Sequence, residues 1–427
     1  MVKQIAGAPF ASGGYGCVFR PPLKCNNESV QSRLEVSDYS YVTKLMLKAE
    51  GKKEMKLNAT ILDRIKIIPQ FKKYFLLSDI FECNDMFQLD ENDLTNYNTI
   101  CDSLSKDYKV VVSRIRKTII GIKPTNINSR LDELIGIYMP DGGVEISNIS
   151  YRLPSTVKHM NLKFINVLID AIIPMNKIGI YHCDIKSSNL LLKGDPEKDT
   201  SLKIIDWGLA SIINHNEPLN ISGIPFMSNN VFSIILLDGL PKIKRLSTIR
   251  NLLNDLIRTC RSHSDDFYQG ILYNLHNCGH VDPAESYIKY LEKTVHGFLM
   301  PDMTTGSLKF DVAKHLEIVK HNADIWGLLS CYNRIIRQQT NDLIKDKLIF
   351  ILNKYCYSGT FACKKIPIND LISDMSLVNT LCVMTRCPNG YRKNKDRVCE
   401  PKSTTIKLRR CPNGSRRNKI TKKCEIK

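Results

Sequence analysis

A chain of 427 residues that is 43% hydrophobic and 24% charged holds enough apolar material for two or three packed domains, which excludes wholesale disorder. No apolar run approaches the ~18 residues that span a bilayer, and the opening MVKQIAGAPFASGGYG has no apolar core of a secretory signal, so neither a transmembrane segment nor a leader is expected. The net charge of +18 is unevenly held: residues 383–427 carry fifteen Lys/Arg against three Asp/Glu, which leaves +6 for the first 382.

The body therefore reads as a mildly basic globule and the tail as a polycation, with nucleic acid, an acidic protein or an anionic membrane as its candidate partners. Fifteen cysteines are many. With no leader, the expectation is reduced and mostly buried thiols in a cytoplasmic setting.

In chain order, residues 5–20 predict strand, glycine turn, strand, and a polar stretch leads to a short strand at Tyr41–Met46. Residues 48–68 predict a helix, because Leu57, Ile61, Leu62, Ile65 and Ile68 fall on one face. Residues 70–110 read as irregular. Strands are expected near Val110–Arg114 and at Leu134–Met139, the second running into Pro140-Asp141-Gly142-Gly143. From residue 156 a helix is expected, interrupted near Pro174, then two short strands at Leu190–Leu192 and Leu202–Ile205. Residues 231–382 read as helical. Strands first and helices afterwards predict an α+β chain of two differently built lobes. The tail contains a repeat: Arg386-Cys387-Pro388-Asn389-Gly390 through Cys399-Glu400 recurs as Arg410-Cys411-Pro412-Asn413-Gly414 through Cys424-Glu425.

The stretch Tyr181-His182-Cys183-Asp184-Ile185-Lys186-Ser187-Ser188-Asn189 resembles the catalytic loop H-x-D-x-K-x-x-N of the eukaryotic-type protein kinases. Downstream, Asp206-Trp207-Gly208 resembles the D-F-G element with Trp for Phe. Phosphoryl transfer asks a protein mainly to position groups and neutralise charge. The resemblance accordingly makes Asp184 the base facing the incoming hydroxyl and Lys186 the cation on the transferring phosphate. Asn189 and Asp206 become ligands of magnesium or manganese on ATP. A Lys at position 186 is the mark of the Ser/Thr-specific members. Ala11-Ser12-Gly13-Gly14-Tyr15-Gly16-Cys17-Val18 resembles the glycine-rich phosphate loop with Ala at the first glycine, although a plain hairpin turn has the same composition. Lys44 resembles the nucleotide lysine of the V-A-I-K strand. Its ion-pair partner should come from the next helix: Glu54 first, with Glu50 on the same face in reserve. Asn58 stands one turn past Glu54, where relatives carry an apolar residue. Met139–Gly143 resembles the hinge beside adenine. Ala323-Asp324-Ile325-Trp326 resembles the start of a buried helix whose Asp braces the catalytic loop; a helix N-cap is the plainer reading.

The resemblance implies a bilobal kinase-like fold: an antiparallel-sheet, nucleotide-binding lobe at 1–145, a helical lobe at 146–382 with an insert at about 231–322, and the basic tail at 383–427. It departs from the usual pattern in Cys183 before the base, in the absence of A-P-E after Asp206, and in the long insert. With the repeated CPNG tail, this mixture is similar to the serine/threonine kinases of giant and other large cytoplasmic DNA viruses, which implies protein substrates and a host-cytoplasmic or virion setting. Between Asp206 and Pro225 the only hydroxyl residues are Ser211 and Ser222, and an activation segment there that works without phosphorylation is expected. The alternative is a catalytically impaired scaffold tethered through its tail. A small-molecule kinase and a nucleic-acid-binding virion protein are further rivals. Cys260, His263, His276, Cys278 and His280 crowd the insert at spacings that fit no zinc knuckle. Cys387, Cys399, Cys411 and Cys424 leave reduced, disulfide-closed and zinc-bound tails open.

Overall fold

Glycines at 13 and 16 let the chain reverse between two strands, β1 (Ala8–Gly13) and β2 (Gly16–Arg20), which pair antiparallel with Ser12 opposite Cys17 and Gly13 opposite Gly16. The computed structural model describes residues 7–13, 16–36, 40–112, 115–198, 200–213, 249–263, 265–301, 308–383, 391–393, 399–401, 415–417 and 424–426. After α1 (Glu28–Val36) comes β3 (Tyr41–Leu47), all but the last of whose residues are buried. Next come α2 (Lys48–Ile65), α3 (Phe71–Tyr74) and β4 (Phe81–Cys83). An excursion follows, with two single-turn helices, α4 (Tyr97–Ile100) and α5 (Asp102–Ser105), and a hairpin of β5 (Tyr108–Val112) and β6 (Ile115–Ile119). Residues 70–110 are thus more ordered than their composition predicts. The chain then returns as β7 (Leu134–Pro140), completing an antiparallel sheet in the order β1-β2-β3-β7-β4.

Alternation along β3 gives this sheet two unlike faces. Tyr41 and Leu45 join Cys17, Phe19 and Tyr138 in a core shared with Tyr97, Cys101, Leu104, Ile122 and Ile127 of the excursion. Lys44 and Met46 point the other way, where Met46, Ile135 and Ile137 pack with Met55 of α2. Gly51 permits this packing, since a β-carbon there would come within 2.3 Å of Ile135 Cγ2.

The two-residue strand β8 (Val144–Glu145) pairs not with this sheet but with a later strand. Then α6 (Pro154–Val167) runs through a π-helical turn at Leu168–Ile172 into α7 (Ile173–Lys177). The predicted interruption near Pro174 takes this widened form because proline has no N–H to close a normal turn. β9 (Ile180–Tyr181), β10 (Leu190–Leu192), β11 (Leu202–Ile204) and β12 (Ser211–Ile212) follow; β10 lies between β11 and β8, and β12 pairs with β9.

The helices α8 (Ile249–His263), α9 (Asp265–Asn277) and α10 (Pro283–Phe298) lead to a hairpin of β13 (Leu299–Pro301) and β14 (Leu308–Phe310) that periodicity had not suggested. The rest is α11 (Val312–Ser330), α12 (Tyr332–Gln338), α13 (Asp342–Leu352) and α14 (Ile368–Cys382). The expected insert is no appendage. Leu253, Ile257, Ile271, Leu275, Tyr287 and Leu291 belong to the same core as Met160, Leu168, Leu190 and Trp326. The expected activation segment from 214 onward lies outside the described residues.

Residues 384–427 form a separate unit. It holds two hairpins, β15 (Tyr391–Lys393) with β16 (Cys399–Pro401) and β17 (Ser415–Arg417) with β18 (Cys424–Ile426). Arg392 is opposite Glu400 in register and Arg416 opposite Glu425, so both repeats keep one register, and the second has one residue more between its strands. Cys387 and Cys411 lie outside the described residues.

The expectation of reduced thiols fails in the N-terminal region: Cys17 is bonded to Cys101, and Cys25 to Cys83. These residues are 84 and 58 positions apart, separations across which sequence carries no pairing signal. Free cysteines among the described residues are Cys183, Cys278, Cys331, Cys356, Cys363 and Cys382. No helix is long and apolar enough to cross a membrane among the described residues.

Candidate functional site

Lys44 sits mid-strand on β3, opposite Val18 of β2 and Ile137 of β7. Its ammonium lies 2.8 and 2.7 Å from the two carboxylate oxygens of Glu54, and both side chains are nearly buried. A two-oxygen grip on a point charge in a screened site fixes the lysine's direction as well as its position. Glu50 instead bonds Lys53 on the surface. Asn58 is buried one turn beyond Glu54, and its Oδ1 has no partner among the described residues. The glycine-rich hairpin passes close by, for a β-carbon on Gly13 would stand 4.0 Å from Lys44 Cε. Ala11 pairs with Val18, and Cys17 pairs with Leu45 of β3 while its sulfur turns to the opposite face; Gly14 and Tyr15 lie outside the described residues.

The second group of residues is built on the loop between β9 and β10. Asp184 is 5% exposed, and its Oδ2 accepts from Lys186 Nζ at 2.8 Å and from Asn189 Nδ2 at 2.9 Å. Asn189 Nδ2 also donates to the Asp184 carbonyl at 2.8 Å. The amide hydrogens of Asn189 are thereby committed to Asp184, and Oδ1 is the atom able to face a cation. His182 is fully buried. Its Nδ1 accepts from Asp184 N at 3.3 Å, so the proton is on Nε2, which donates to Ile205 O at 2.9 Å. Ile205 N donates to Asn189 O at 3.1 Å. The residue before Asp206 is thus tied to the 182–189 loop on both sides, while Asp206 itself is half-buried with a left-handed φ of 63°. Trp207 packs against His182 and Phe75, and its turn rests on α2, the helix that carries Glu54.

Cys183 also has a left-handed backbone, at φ 67°, which costs a non-glycine residue ~1–2 kcal/mol. Asp324 holds it there: Oδ1 accepts from Cys183 N at 2.8 Å and Oδ2 from His182 N at 2.9 Å. Asn176, with its amide nitrogen turned inward, adds a third donor to Oδ2 at 3.0 Å. Burial pushes the Asp324 carboxyl up, opposed by His182 and the two backbone N–H groups. Asp324 lies inside α11, not at its start as expected; the N-cap there is Asp311, which accepts from Lys314 N at 3.0 Å. The Cys183 thiol is pushed well up, chiefly by burial, so it is neutral and inert.

Between these groups, Met139 and Pro140 continue β7, paired with Val42 and Tyr41. Arg20 donates to Asp141 Oδ1 at 2.6 Å and to Gly143 O at 3.0 Å, a clasp that no sequence signal marked. Gly142 packs on Leu191, and Gly143 has φ 98°, so neither position accommodates a side chain without strain.

The described residues contain no cluster of three His, Cys, Asp or Glu able to hold a metal. In the insert, Cys278 is buried in the core and His280 Nε2 bonds Asn353 Oδ1 at 3.0 Å.

No family model matches the chain, and no curated protein matches it. Among solved structures it is similar to the ROP18 kinase domain in complex with AMP-PNP and sucrose, at 13% identity and a TM-score of 0.35, over 89% of this chain and 84% of that one. So loose a likeness carries no weight for function.

Proposed function

We propose that the chain is an ATP-dependent serine/threonine protein kinase. The observation that carries this reading is the buried Asp184 carboxylate, bonded at once to Lys186 and Asn189. Such a carboxylate is poised to take a proton from a hydroxyl while a cation two residues away faces the group being transferred. In the step proposed, a substrate hydroxyl oxygen bonds to the γ-phosphorus, the bond from that phosphorus to the ADP oxygen breaks, and the hydroxyl proton passes to Asp184. Lys186 offsets the charge on the transferring group. Lys44, aimed by Glu54, holds the α- and β-phosphates, and backbone amides of the Ser12–Val18 stretch cover them.

A hard-oxygen pair, Asn189 Oδ1 and the Asp206 carboxylate, fits magnesium or manganese, and these two residues would hold it. When bound, the ion neutralises phosphate charge. Serine or threonine specificity rests on Lys186. The Ala11 variant of the glycine stretch, Cys183 and the repeated tail support a place among the kinases of large cytoplasmic DNA viruses.

The test is transfer of radiolabelled phosphate from ATP to a Ser-containing peptide, with and without a metal chelator. Asp184→Ala is expected to retain ATP binding and lose transfer by at least about 10³-fold. Unchanged transfer in that variant refutes the assignment. ATP binding with no transfer by the wild-type chain would favour the scaffold.

A further inference from the structure

We propose that the excursion between β4 and β7 is a positioning device for the glycine-rich hairpin, with Cys101 and Ser103 as the positioning residues, so that the Cys17–Cys101 bond sets nucleotide affinity. This rests on the kinase reading of the site. Val18 shares the face of Lys44, because the two are opposite one another in register. Cys17 and Phe19 alternate to the other face, where both are fully buried. The excursion meets them there. Cys101 is bonded to Cys17, with the two Cα atoms 5.1 Å apart. Tyr97, Leu104, Ile122 and Ile127 pack into the same core as Phe19 and Leu23.

Ser103 adds a polar contact at the turn itself. Its Oγ stands 3.1 Å from Ser12 Oγ and 3.4 Å from the Gly16 carbonyl, one on each strand of the hairpin. Cys25–Cys83 fastens the root of the excursion, since Cys25 also bridges to Met86. One disulfide therefore fixes the base and the other the tip. Single-turn helices such as α4 and α5 do not persist by themselves, so the tip depends on its crosslink and its packing. A phosphate loop held from behind loses less freedom when the nucleotide arrives, which favours binding without changing the chemistry at Asp184.

Reduction reverses the device. One thiolate of a dithiol attacks a sulfur of the pair and breaks the S–S bond, its second thiol displaces the resulting mixed disulfide to close the reagent into a cyclic disulfide, and the reagent's two electrons and two protons end on Cys17 and Cys101 as thiols. Both sulfurs are buried, so exchange requires the α4–α5 junction to open.

The experiment uses the full chain purified without reductant. Peptide mapping is expected to find Cys17 linked to Cys101; free thiols at both positions overturn the proposal. Cys101→Ser, and separately reduction of the wild type with dithiothreitol, are expected to raise KM for ATP about tenfold and leave kcat within about twofold. Ser103→Ala is expected to give a smaller rise that Ser103→Thr reverses. Cys25→Ser with Cys83→Ser frees the base but keeps the link to β2, and is expected to raise KM by clearly less than Cys101→Ser does; an equal or larger rise would mean general loosening of the sheet and would overturn the positioning role. Hydrogen exchange separates this proposal from the kinase assignment. Amides of β1 and β2 should exchange faster in Cys101→Ser whether or not the protein transfers phosphate, and unchanged exchange sinks the proposal.

Discussion

Replacing Asp324 by Asn tests how the loop that carries Asp184 is held. The carboxylate accepts three N–H groups, from His182, Cys183 and Asn176, and has no solvent exposure. An amide of the same shape has one accepting atom, so whichever way it turns, a backbone N–H faces another N–H. Losing a charge-assisted bond costs ~1.5–3 kcal/mol, and a buried N–H without a partner ~1–3 more. Against this, letting Cys183 leave its left-handed conformation returns ~1–2 kcal/mol. The net, about 3 kcal/mol, is enough for the loop to relax locally, and the same figure on the barrier corresponds to roughly a 100-fold loss of rate. The assay is steady-state phosphate transfer with thermal unfolding alongside. A fall in kcat of about 100-fold is expected, with KM for ATP held by the untouched Lys44–Glu54 pair and Tm lower by only about 5 °C. A folded variant with kcat within about threefold of wild type would refute the argument that this carboxylate sets the loop.

Three further outcomes follow from the packing. Asn58→Leu removes a buried carbonyl oxygen without a partner among the described residues from a helix interior and is expected to stabilise the protein by ~1 kcal/mol, read as a rise in Tm; a fall would show that the oxygen has a partner. His315 is buried between Phe298 and Phe310 with neither ring nitrogen partnered among the described residues, and burial lowers its pKa to about 3. The unfolded chain binds that proton near pH 6.5 and the folded one does not. The stability is therefore complete above pH 6.5 and falls by ~1.4 kcal/mol per unit below it, toward pH 3. Denaturant titrations of His315→Leu should show a shallower loss between pH 6 and 4 than wild type, and parallel curves would refute the assignment. Truncation after Val383 removes +12 of the net charge and is expected to abolish salt-sensitive retention on a polyanion column while sparing phosphate transfer. Retention unchanged by the truncation would move the basic surface to the body.

What the sequence made legible was mostly local. Asp184, Lys186 and Asn189 lie within six residues, so their proximity is nearly covalent and the hydrogen bonds among them follow from a single turn. The Lys44 partner was narrowed to one face of α2, and Gly51 then lets the helix come near enough for Glu54 to reach. Both disulfides escaped notice because nothing in a spacing of 84 or 58 residues indicates which cysteines meet. α4 and α5 are four residues each, too short to show a period. Asp324 looked like a helix start because its neighbours are apolar, whereas the helix begins a dozen residues earlier at a second aspartate. The insert read as an addition because no catalytic motif falls within it, yet its apolar residues complete the main core.

The passage from β7 to β8 joins two separate sheets. β7 is zipped to β3 along its whole length, and β8 is already part of the sheet with β10, so the backbone steps from one of these sheets to the other through Asp141, Gly142 and Gly143. Any turn of one sheet against the other must bend those three residues, and the guanidinium of Arg20 grips the first and the last of them. The bend and its brake are one short segment, with the brake lever mounted on the strand that leaves the glycine turn.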